Sequence, residues 1–197
     1  MIKLYHTKIG EKWFATAIEN DKIVASTFAS KKEVVLRKLL LQIPFEIPFK
    51  LESNLSEHAK RVLDALYAIY NGKEIKLDFK FEMKHLSPYT AKALKILTKV
   101  PVGYVTTYGA LAKVAGGSPR AIGRAMASNP VVLLIPCHRV VKSDLSIGGY
   151  GPGIHEKWKI LQKEKRGYKK PKEIMVHGKR LMLYPVEMVK PVRKRKK

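Results

Sequence analysis

Apolar and polar residues alternate along the start of the chain, which is the pattern of half-buried β-strands. The alternation predicts strands over residues 3–8, 13–19 and 22–28. Asn20 and Asp21 separate the last two segments, and both residue types tolerate the left-handed backbone of a tight hairpin turn. The chain is therefore expected to open with a small sheet.

Helical spacing replaces this alternation after residue 30. Residues 31–42 have apolar side chains three and four positions apart, and the pattern stops before Pro44. These apolar positions are Val35, Leu36, Leu39 and Leu40. Residues 45–49 are interrupted by Pro48 and are expected to form a connector.

A longer amphipathic helix is predicted next. Asn54, with Glu57 three residues later, forms a capping-box pattern, and Asn71–Gly72 is a stop signal. The apolar face of this helix consists of Val62, Leu66, Ile69 and Tyr70. Residues 77–81 are expected to form a further short strand.

Short capped helices replace the mixed pattern near residues 82–86, where we expect a domain boundary. The predicted fold class is α/β (α+β), with a small N-terminal domain of sheet and helix over residues 1–84. A mainly helical C-terminal domain follows over residues 85–168, and a basic extension over residues 169–197. Its first helix opens at Ser87–Pro88 and would bury Tyr89, Ala93, Leu94, Ile96 and Leu97.

Two short helices joined by a glycine turn come next. Thr107 can cap a helix that ends at Ala115, and Gly116–Gly117 can form the turn. Ser118–Pro119 can cap a second helix that runs to Ser128. This is a helix-turn-helix pattern. Small residues would let the helices approach closely, as they would in any packed helix pair: Ala110, Ala112, Ala115, Ala121, Gly123, Ala125 and Ala127.

Arg120 lies in the first turn of the second helix, where the helix dipole disfavours a cation. A phosphate or a DNA base stack would use both the arginine and the helix N-terminus. A solvated Arg120 is the alternative. The position therefore favours DNA binding without establishing it.

Charge strengthens the case for a polyanionic partner. The 197 residues carry 39 Lys and Arg against 16 Asp and Glu, a formal net charge of +23. Nucleic acid is the leading partner, and an anionic membrane surface is the rival. No apolar run approaches the roughly 20 residues of a spanning helix, and the N-terminus does not resemble a signal peptide. The protein is expected to be soluble and cytoplasmic, and the scarcity of Asn and Gln resembles thermophile usage.

Cys137 is the only cysteine, so it is either a small core residue or a nucleophile. The apolar residues 131–135 resemble a buried strand, and Pro136 would end it just before the thiol. Few thiols are ionised at neutral pH, so a nucleophile needs a base or a positive field, for which His138 and Arg139 are candidates. Adjacent residues in an extended segment point apart, so Cys137 and His138 would need a bridging water or a sharp turn.

Several blocks occur in a fixed order across residues 87–167. They are Tyr108, Arg120-Ala121-Ile122-Gly123, Asn129-Pro130, Pro136-Cys137-His138-Arg139-Val140 and Gly148-Gly149-Tyr150. In this combination the chain resembles the O6-alkylguanine-DNA alkyltransferases, a family of methylated-DNA-protein-cysteine methyltransferases. The first half resembles the family only in its expected layout.

The resemblance implies DNA repair in a single turnover. Cys137 would attack the alkyl carbon on guanine O6 and keep the alkyl group as a thioether, without a cofactor. His138 would deprotonate the thiol through a water, and Glu164 would orient that histidine. Asn129 would brace the turn, and Tyr108 would donate a proton to the leaving guanine.

The resemblance also implies how guanine and DNA are held. The carbonyls of Cys137 and Val140 would accept from the guanine amino group, and the N–H of Gly151 would face O6. The implied substrate-binding residues are Val140, Gly148, Gly149, Tyr150 and Gly151. Double-stranded DNA would bind through its minor groove to a monomer, with the nucleotide flipped out and Arg120 filling the gap. The implied DNA-binding residues are Tyr108, Arg120, Ala121, Gly123, Ala125 and Ala127.

Other classes of protein remain to be separated from this one. A helix-turn-helix regulator without thiol chemistry would bind specific sequences and tolerate Cys137→Ser. A cysteine hydrolase with a Cys-His-Glu relay would turn over repeatedly and ignore DNA. A zinc site like that of some family members is not expected, because His6, His58 and His85 are isolated.

The C-terminal segment is unusually basic. Residues 168–197 contain 11 Lys and Arg and two acidic residues, and they end in Arg193-Lys194-Arg195-Lys196-Lys197. A solvated tail and a phosphate-attracting segment are both compatible with this composition. Residues 182–186 are expected to dock as a strand or an apolar strap.

Overall fold

The computed structural model describes residues 1–76 and 78–191. These residues divide into two compact units. The first unit comprises Met1–Tyr70, Ile75–Ser87 and Pro130–Leu134, and the second comprises Asn71–Glu74, Pro88–Asn129 and the described residues from Ile135 onward. The domain boundaries expected from the sequence stay predictions.

A five-stranded sheet forms the first unit. Its strands are β1 (Ile2–Ile9), β2 (Lys12–Glu19), β3 (Lys22–Ala29), β4 (Phe49–Leu51) and β5 (Lys80–Phe81), in the order β4-β1-β2-β3-β5. The central three strands are antiparallel, and both edge strands pair in parallel. Asn20 and Asp21 have φ values of 48° and 60°, so the predicted hairpin turn is confirmed.

The two edge strands were the least visible in the sequence. The expected connector over residues 45–49 leads into β4, where Ile2 N donates to Pro48 O at 2.9 Å and Glu52 N donates to Leu4 O at 3.0 Å. A strand of three residues is too short to display an alternating pattern. The predicted strand over residues 77–81 is reduced to β5, and Leu77 lies outside the described residues.

Two helices, α1 (Lys32–Leu40) and α2 (Glu57–Tyr70), complete the first unit. The apolar face predicted for α2 is buried, as expected. The predicted cap is wrong, because Ser56 Oγ, not Asn54, accepts from Ala59 N, at 3.2 Å. A side-chain cap must lie directly before the first helical residue, and Asn54 is two residues too early.

The segment Pro130–Leu134 also belongs to the first unit. Ser26 N donates to Pro130 O at 2.9 Å, and Val132 N donates to Ser26 O at 3.1 Å. The strand expected over residues 131–135 is wrong. Leu133 has a φ of 74°, and this left-handed residue turns the chain shortly after the isolated β-bridge between Val131 and Ser26.

The second unit contains four helices and a second sheet. The helices are α3 (Pro88–Leu97), α4 (Tyr108–Ala115), α5 (Pro119–Ala127) and α6 (Ile154–Lys163). The strands are β6 (Tyr104–Thr107), β7 (Val140–Val141), β8 (Lys172–Val176) and β9 (Lys179–Pro185), in the order β7-β6-β9-β8. The mixed α and β fold class is confirmed. The description of the second half as mainly helical is incomplete, because β8 and β9 come from the expected extension.

The helix-turn-helix pattern is confirmed in detail. Thr107 Oγ1 accepts from Ala110 N at 3.0 Å, and Ser118 Oγ accepts from Ala121 N at 3.2 Å, so both predicted caps are present. Gly117 has a φ of 82°, and a Cβ there would lie 2.9 Å from Tyr89 Oη. The turn between α4 and α5 therefore requires glycine both for its backbone and for its contact with α3.

Part of the C-terminal segment is ordered by the same sheet. Residues 182–185 belong to β9, which pairs antiparallel with both β6 and β8, so the prediction of a docked strand is confirmed. The basic run from Arg193 to Lys197 lies outside the described residues. No helix in the described part of the chain is long and apolar enough to cross a membrane.

The corrected cap of α2 can be tested directly. Ser56→Ala removes the acceptor for Ala59 N and is expected to lower the free energy of unfolding by about 1 kcal/mol. Asn54→Ala is the matched control, because Asn54 lies outside the helix, and it should leave stability unchanged. Urea unfolding followed by circular dichroism measures both variants. Equal destabilisation by the two substitutions would contradict the assignment.

Candidate active site

The only cysteine lies at the start of a tight turn. Cys137–Arg139 form a single 3₁₀ turn, in which Arg139 N donates to Pro136 O at 2.8 Å. The extended geometry assumed for Cys137 and His138 is therefore wrong. The sharp turn that the sequence left open as an alternative is present, and β7 follows it immediately.

The thiol of Cys137 is buried, with 6% of the residue exposed. Asn129 Nδ2 donates to Cys137 Sγ at 3.2 Å and to Ile135 O at 3.1 Å, so one amide holds both the sulfur and the chain leading to it. Burial raises the pKa of Cys137, although Asn129 and Lys157 oppose the rise. The resting thiol is therefore protonated and needs a base to become a nucleophile.

Three side chains form a buried ionic cluster behind the turn. Glu164, which caps the C-terminus of α6, lies 2.9 Å from His138 Nε2. The guanidinium of Arg139 donates to both carboxylate oxygens, from Nε at 3.0 Å and from Nη2 at 2.8 Å. Arg139 Nη1 also donates to Val100 O at 2.7 Å. Arg139 is thus bound to Glu164, which corrects the suggestion that it supplies a positive field for the thiol.

The charge balance of this cluster keeps His138 neutral. Burial opposes the ionisation of Glu164, but His138 and Arg139 outweigh it and lower the pKa of Glu164 to about 2. Burial lowers the pKa of His138, although Glu164 opposes that shift. Because the carboxylate only accepts hydrogen bonds, His138 Nε2 carries the ring proton. His138 Nδ1 is left with a lone pair, and it is buried without a hydrogen-bond partner.

Comparison with known proteins assigns this arrangement to a family. Residues 88–166 match the family model described as the DNA-binding domain of 6-O-methylguanine DNA methyltransferase. A methylated-DNA-protein-cysteine methyltransferase of Thermococcus sibiricus is 36% identical over an alignment of 172 residues that covers 83% of this chain and 96% of that protein. The chain belongs to the methylated-DNA-protein-cysteine methyltransferase family.

Two further similarities extend the comparison. A methyltransferase of the same name from Pyrobaculum aerophilum is 53% identical over 73 residues, so the match spans about half, 49%, of that relative and 37% of this chain. The crystal structure of an O6-methylguanine-DNA methyltransferase from the hyperthermophilic archaeon Pyrococcus kodakaraensis is 28% identical, with a TM-score of 0.63. That match covers 83% of this chain and 99% of the other.

In this methyltransferase-family chain, Tyr108 lies beside the glycine-rich loop of residues 148–151. Gly148 has a φ of 67°, and a Cβ at that position would lie 3.3 Å from Tyr108 Cε2. Burial raises the pKa of Tyr108, and Cys137 raises it further, so the phenol keeps its proton and can donate it. Val140 and Gly148 are buried, whereas Gly149 and Gly151 are exposed. Tyr150 packs edge-on against the His138 ring, with centroids 6.3 Å apart.

The predicted DNA-binding residues of α5 lie on different faces of the helix. Arg120 and Ala127 are exposed, and Ala121 and Gly123 are half-buried. Ala125 is only 2% exposed, so its assignment to the DNA-contacting surface is wrong. With a period of 3.6 residues, it shares the core face with Ile122 and Met126.

Sequence analysis missed two residues of this region and the partner of a third. Arg124 is exposed one helical turn after Arg120, on the same face of α5. Arg139 was noticed, but its partner was not. Lys157 is fully buried beside the site, and its spacing with Ile160, Leu161 and Glu164 on one helical stripe was the available signal.

Metal binding has no obvious location here. Among the described residues, no group of three or more His, Cys, Asp or Glu side chains is arranged to hold a metal ion.

The buried carboxylate predicts a distinctive response to acid. Because the pKa of Glu164 is about 2 when folded and 4.5 ordinarily, its contribution to stability is present above pH 4.5 and lost as the pH falls towards 2. The shift corresponds to about 3 kcal/mol at neutral pH. Glu164→Gln should lower the free energy of unfolding at pH 7 and reduce its loss between pH 5 and pH 3.

Chemical unfolding across this pH range measures the effect. Glu173→Gln is the control, because its side chain is 44% exposed and pairs only loosely, at 3.7 Å, with Arg180. An acid dependence that is the same for wild type and Glu164→Gln would contradict the assigned charge state.

Proposed function

We propose that this protein repairs DNA by transferring the alkyl group of O6-alkylguanine irreversibly to Cys137. The observation that carries the proposal is a buried, protonated thiol one residue before a neutral histidine whose Nδ1 lone pair is unused. Membership of the methyltransferase family supports the same reaction. The resulting thioether contains no good leaving group, so the alkyl group stays on Cys137 and each molecule reacts once.

The proposed mechanism begins with activation of the thiol. His138 Nδ1 accepts the proton of Cys137 through a water, and Glu164 stabilises the imidazolium because the carboxylate already faces Nε2. Asn129 donates to the sulfur and so stabilises the developing thiolate. Ion-pairing with Arg139 keeps Glu164 ionised throughout, because its pKa stays far below neutral.

Transfer then follows as a direct displacement. The C–S bond forms as the bond between the alkyl carbon and guanine O6 breaks, and the electron pair goes to the guanine. Tyr108, which the raised pKa keeps protonated, donates a proton to a ring nitrogen of the purine, so that guanine leaves neutral. No cofactor takes part in these steps.

Selection of guanine is assigned to the backbone around the turn. The carbonyls of Cys137 and Val140 accept from the exocyclic amino group, and the N–H of Gly151 faces O6. Gly148 and Gly149 leave space for the alkyl group, and Tyr150 closes the loop against His138. Backbone groups suit this purpose because their positions do not depend on rotamers.

Double-stranded DNA is the proposed partner, and a monomer the proposed binding unit. The match of residues 88–166 to a DNA-binding domain and the net charge of +23 support DNA. In our proposal α5 enters the minor groove, its small residues Ala121, Gly123 and Ala127 permit a close approach, and Arg120 fills the space left by the flipped nucleotide. The reaction would take place in the cytoplasm.

Methyl transfer is tested by intact mass and peptide mapping. After incubation with duplex DNA that carries O6-methylguanine, the protein should gain the mass of one CH₂ group, stoichiometrically and on the peptide containing Cys137. Cys137→Ser should show no gain while it still binds the duplex. Folded wild-type protein that binds DNA but gains no mass would instead favour a helix-turn-helix regulator without thiol chemistry.

The role of the exposed face of α5 is tested by salt dependence. Arg124→Ala is expected to weaken binding to unmodified duplex and to reduce the slope of log K against log salt by about one unit, because one phosphate contact is lost. Lys95→Ala, an exposed cation on α3, is the matched control and should leave the slope unchanged. Fluorescence anisotropy at a series of salt concentrations measures both. Identical slopes for the two variants would remove Arg124 from the interface.

A further inference from the structure

Lys157 is a fully buried lysine that the proposed mechanism does not use. It lies on α6, is 0% exposed, and is among the largest fully buried side chains of the described chain. Its ammonium donates to Val140 O at 2.6 Å and to Gly149 O at 3.1 Å. Val140 directly follows the turn that carries the reactive thiol, and Gly149 belongs to the glycine-rich loop that comes later in the chain.

An apolar side chain would fill this space without the cost of removing an ammonium from water. Burial lowers the pKa of Lys157 to about 8, although Cys137 opposes the shift. The amine therefore remains mostly charged at neutral pH despite its burial. A charge kept at this cost indicates that it has a use in the site.

The two carbonyls show what the ammonium joins. Val140 follows the turn that carries Cys137 and His138. Gly149 belongs to the loop that places Gly148 against Tyr108 and Tyr150 against His138. A Cβ on Gly149 would meet no atom within 4 Å, so side-chain packing does little to fix the loop at that residue. Lys157 supplies a hydrogen bond there instead.

The charges around the thiol give Lys157 a second effect. Arg139 is bound to Glu164, and burial keeps His138 neutral, so neither supplies a full positive charge to the sulfur. Lys157 lowers the pKa of Cys137 by its charge. Cys137 in turn raises the pKa of Tyr108, so the neighbouring phenol is protonated and uncharged.

We propose that Lys157 is a positioning residue of the transfer site. Its ammonium fixes the Gly148–Tyr150 loop to the turn of the nucleophile, and its charge favours the Cys137 thiolate. The role of Lys157 in methyl transfer rests on the proposed function. The effect on the thiolate is independent of guanine and is measurable without it.

Three substitutions separate charge from shape. Lys157→Met removes the charge and both hydrogen bonds at similar length, Lys157→Gln keeps one amide donor without charge, and Lys157→Arg keeps the charge. Lys159→Met is the matched control, because Lys159 is exposed on the same helix. Circular dichroism establishes that each variant is folded, and if Lys157→Met is not, Lys157→Gln carries the same expectation.

Two readouts are recorded as functions of pH: the rate of methyl transfer from an O6-methylguanine duplex, and the rate of labelling of Cys137 by iodoacetamide. Lys157→Met and Lys157→Gln should slow transfer at pH 7 by roughly tenfold or more, as expected for the loss of charge-assisted hydrogen bonds. Both of their pH profiles should move to higher pH. Lys157→Arg and Lys159→Met should keep the wild-type profiles.

The proposal would be overturned if Lys157→Met and Lys157→Gln had the same labelling profile as the wild type. It would also be overturned if the profile of Lys157→Arg shifted as far as those of the two neutral variants. Wild-type protein that labels normally but transfers no methyl group would overturn the proposed function instead. In that case the labelling profiles would still decide whether Lys157 favours the thiolate.

Discussion

The buried carboxylate of Glu164 is the charge on which the rest of the site depends. An isolated carboxylate buried this completely would take up a proton, but the bidentate ion pair with Arg139 keeps Glu164 ionised. Because Arg139 already balances Glu164, His138 can bond to the carboxylate and stay neutral. A single ion pair therefore fixes both the orientation of the histidine and its capacity to accept a proton.

The resting state of the thiol would suit the proposed single transfer. Burial keeps Cys137 protonated and sheltered, while Asn129, Lys157 and the histidine lower the cost of ionising it. A fully ionised, exposed thiol would be open to oxidation and to unrelated electrophiles. The site thus combines a protected resting state with groups that become useful when a substrate arrives.

Local signals in the sequence were sufficient wherever one short segment decided the outcome. The hairpin at Asn20–Asp21 and the caps at Thr107 and Ser118 depend on the conformational preferences of a few adjacent residues, so they were predicted correctly. The ordered Pro-Cys-His-Arg-Val block likewise identified the family. The edge strand β4 was missed because a strand of three residues forms only against a neighbour that is distant in sequence.

The sequence by itself determined the helix-turn-helix, the mixed fold class and the family, and it supplied Cys137 as the candidate nucleophile. Only the tertiary structure decided which charges meet. Residue type alone offers Arg139 as a cation for the thiol, but in the fold Glu164, 25 residues away, binds its guanidinium. The ammonium of Lys157 likewise meets two carbonyls that are distant from it in sequence. Ala125 changed from a contact residue to a core residue for the same reason. Residue type and spacing determine local conformation, whereas burial and the pairing of charges depend on segments that only the folded chain brings together.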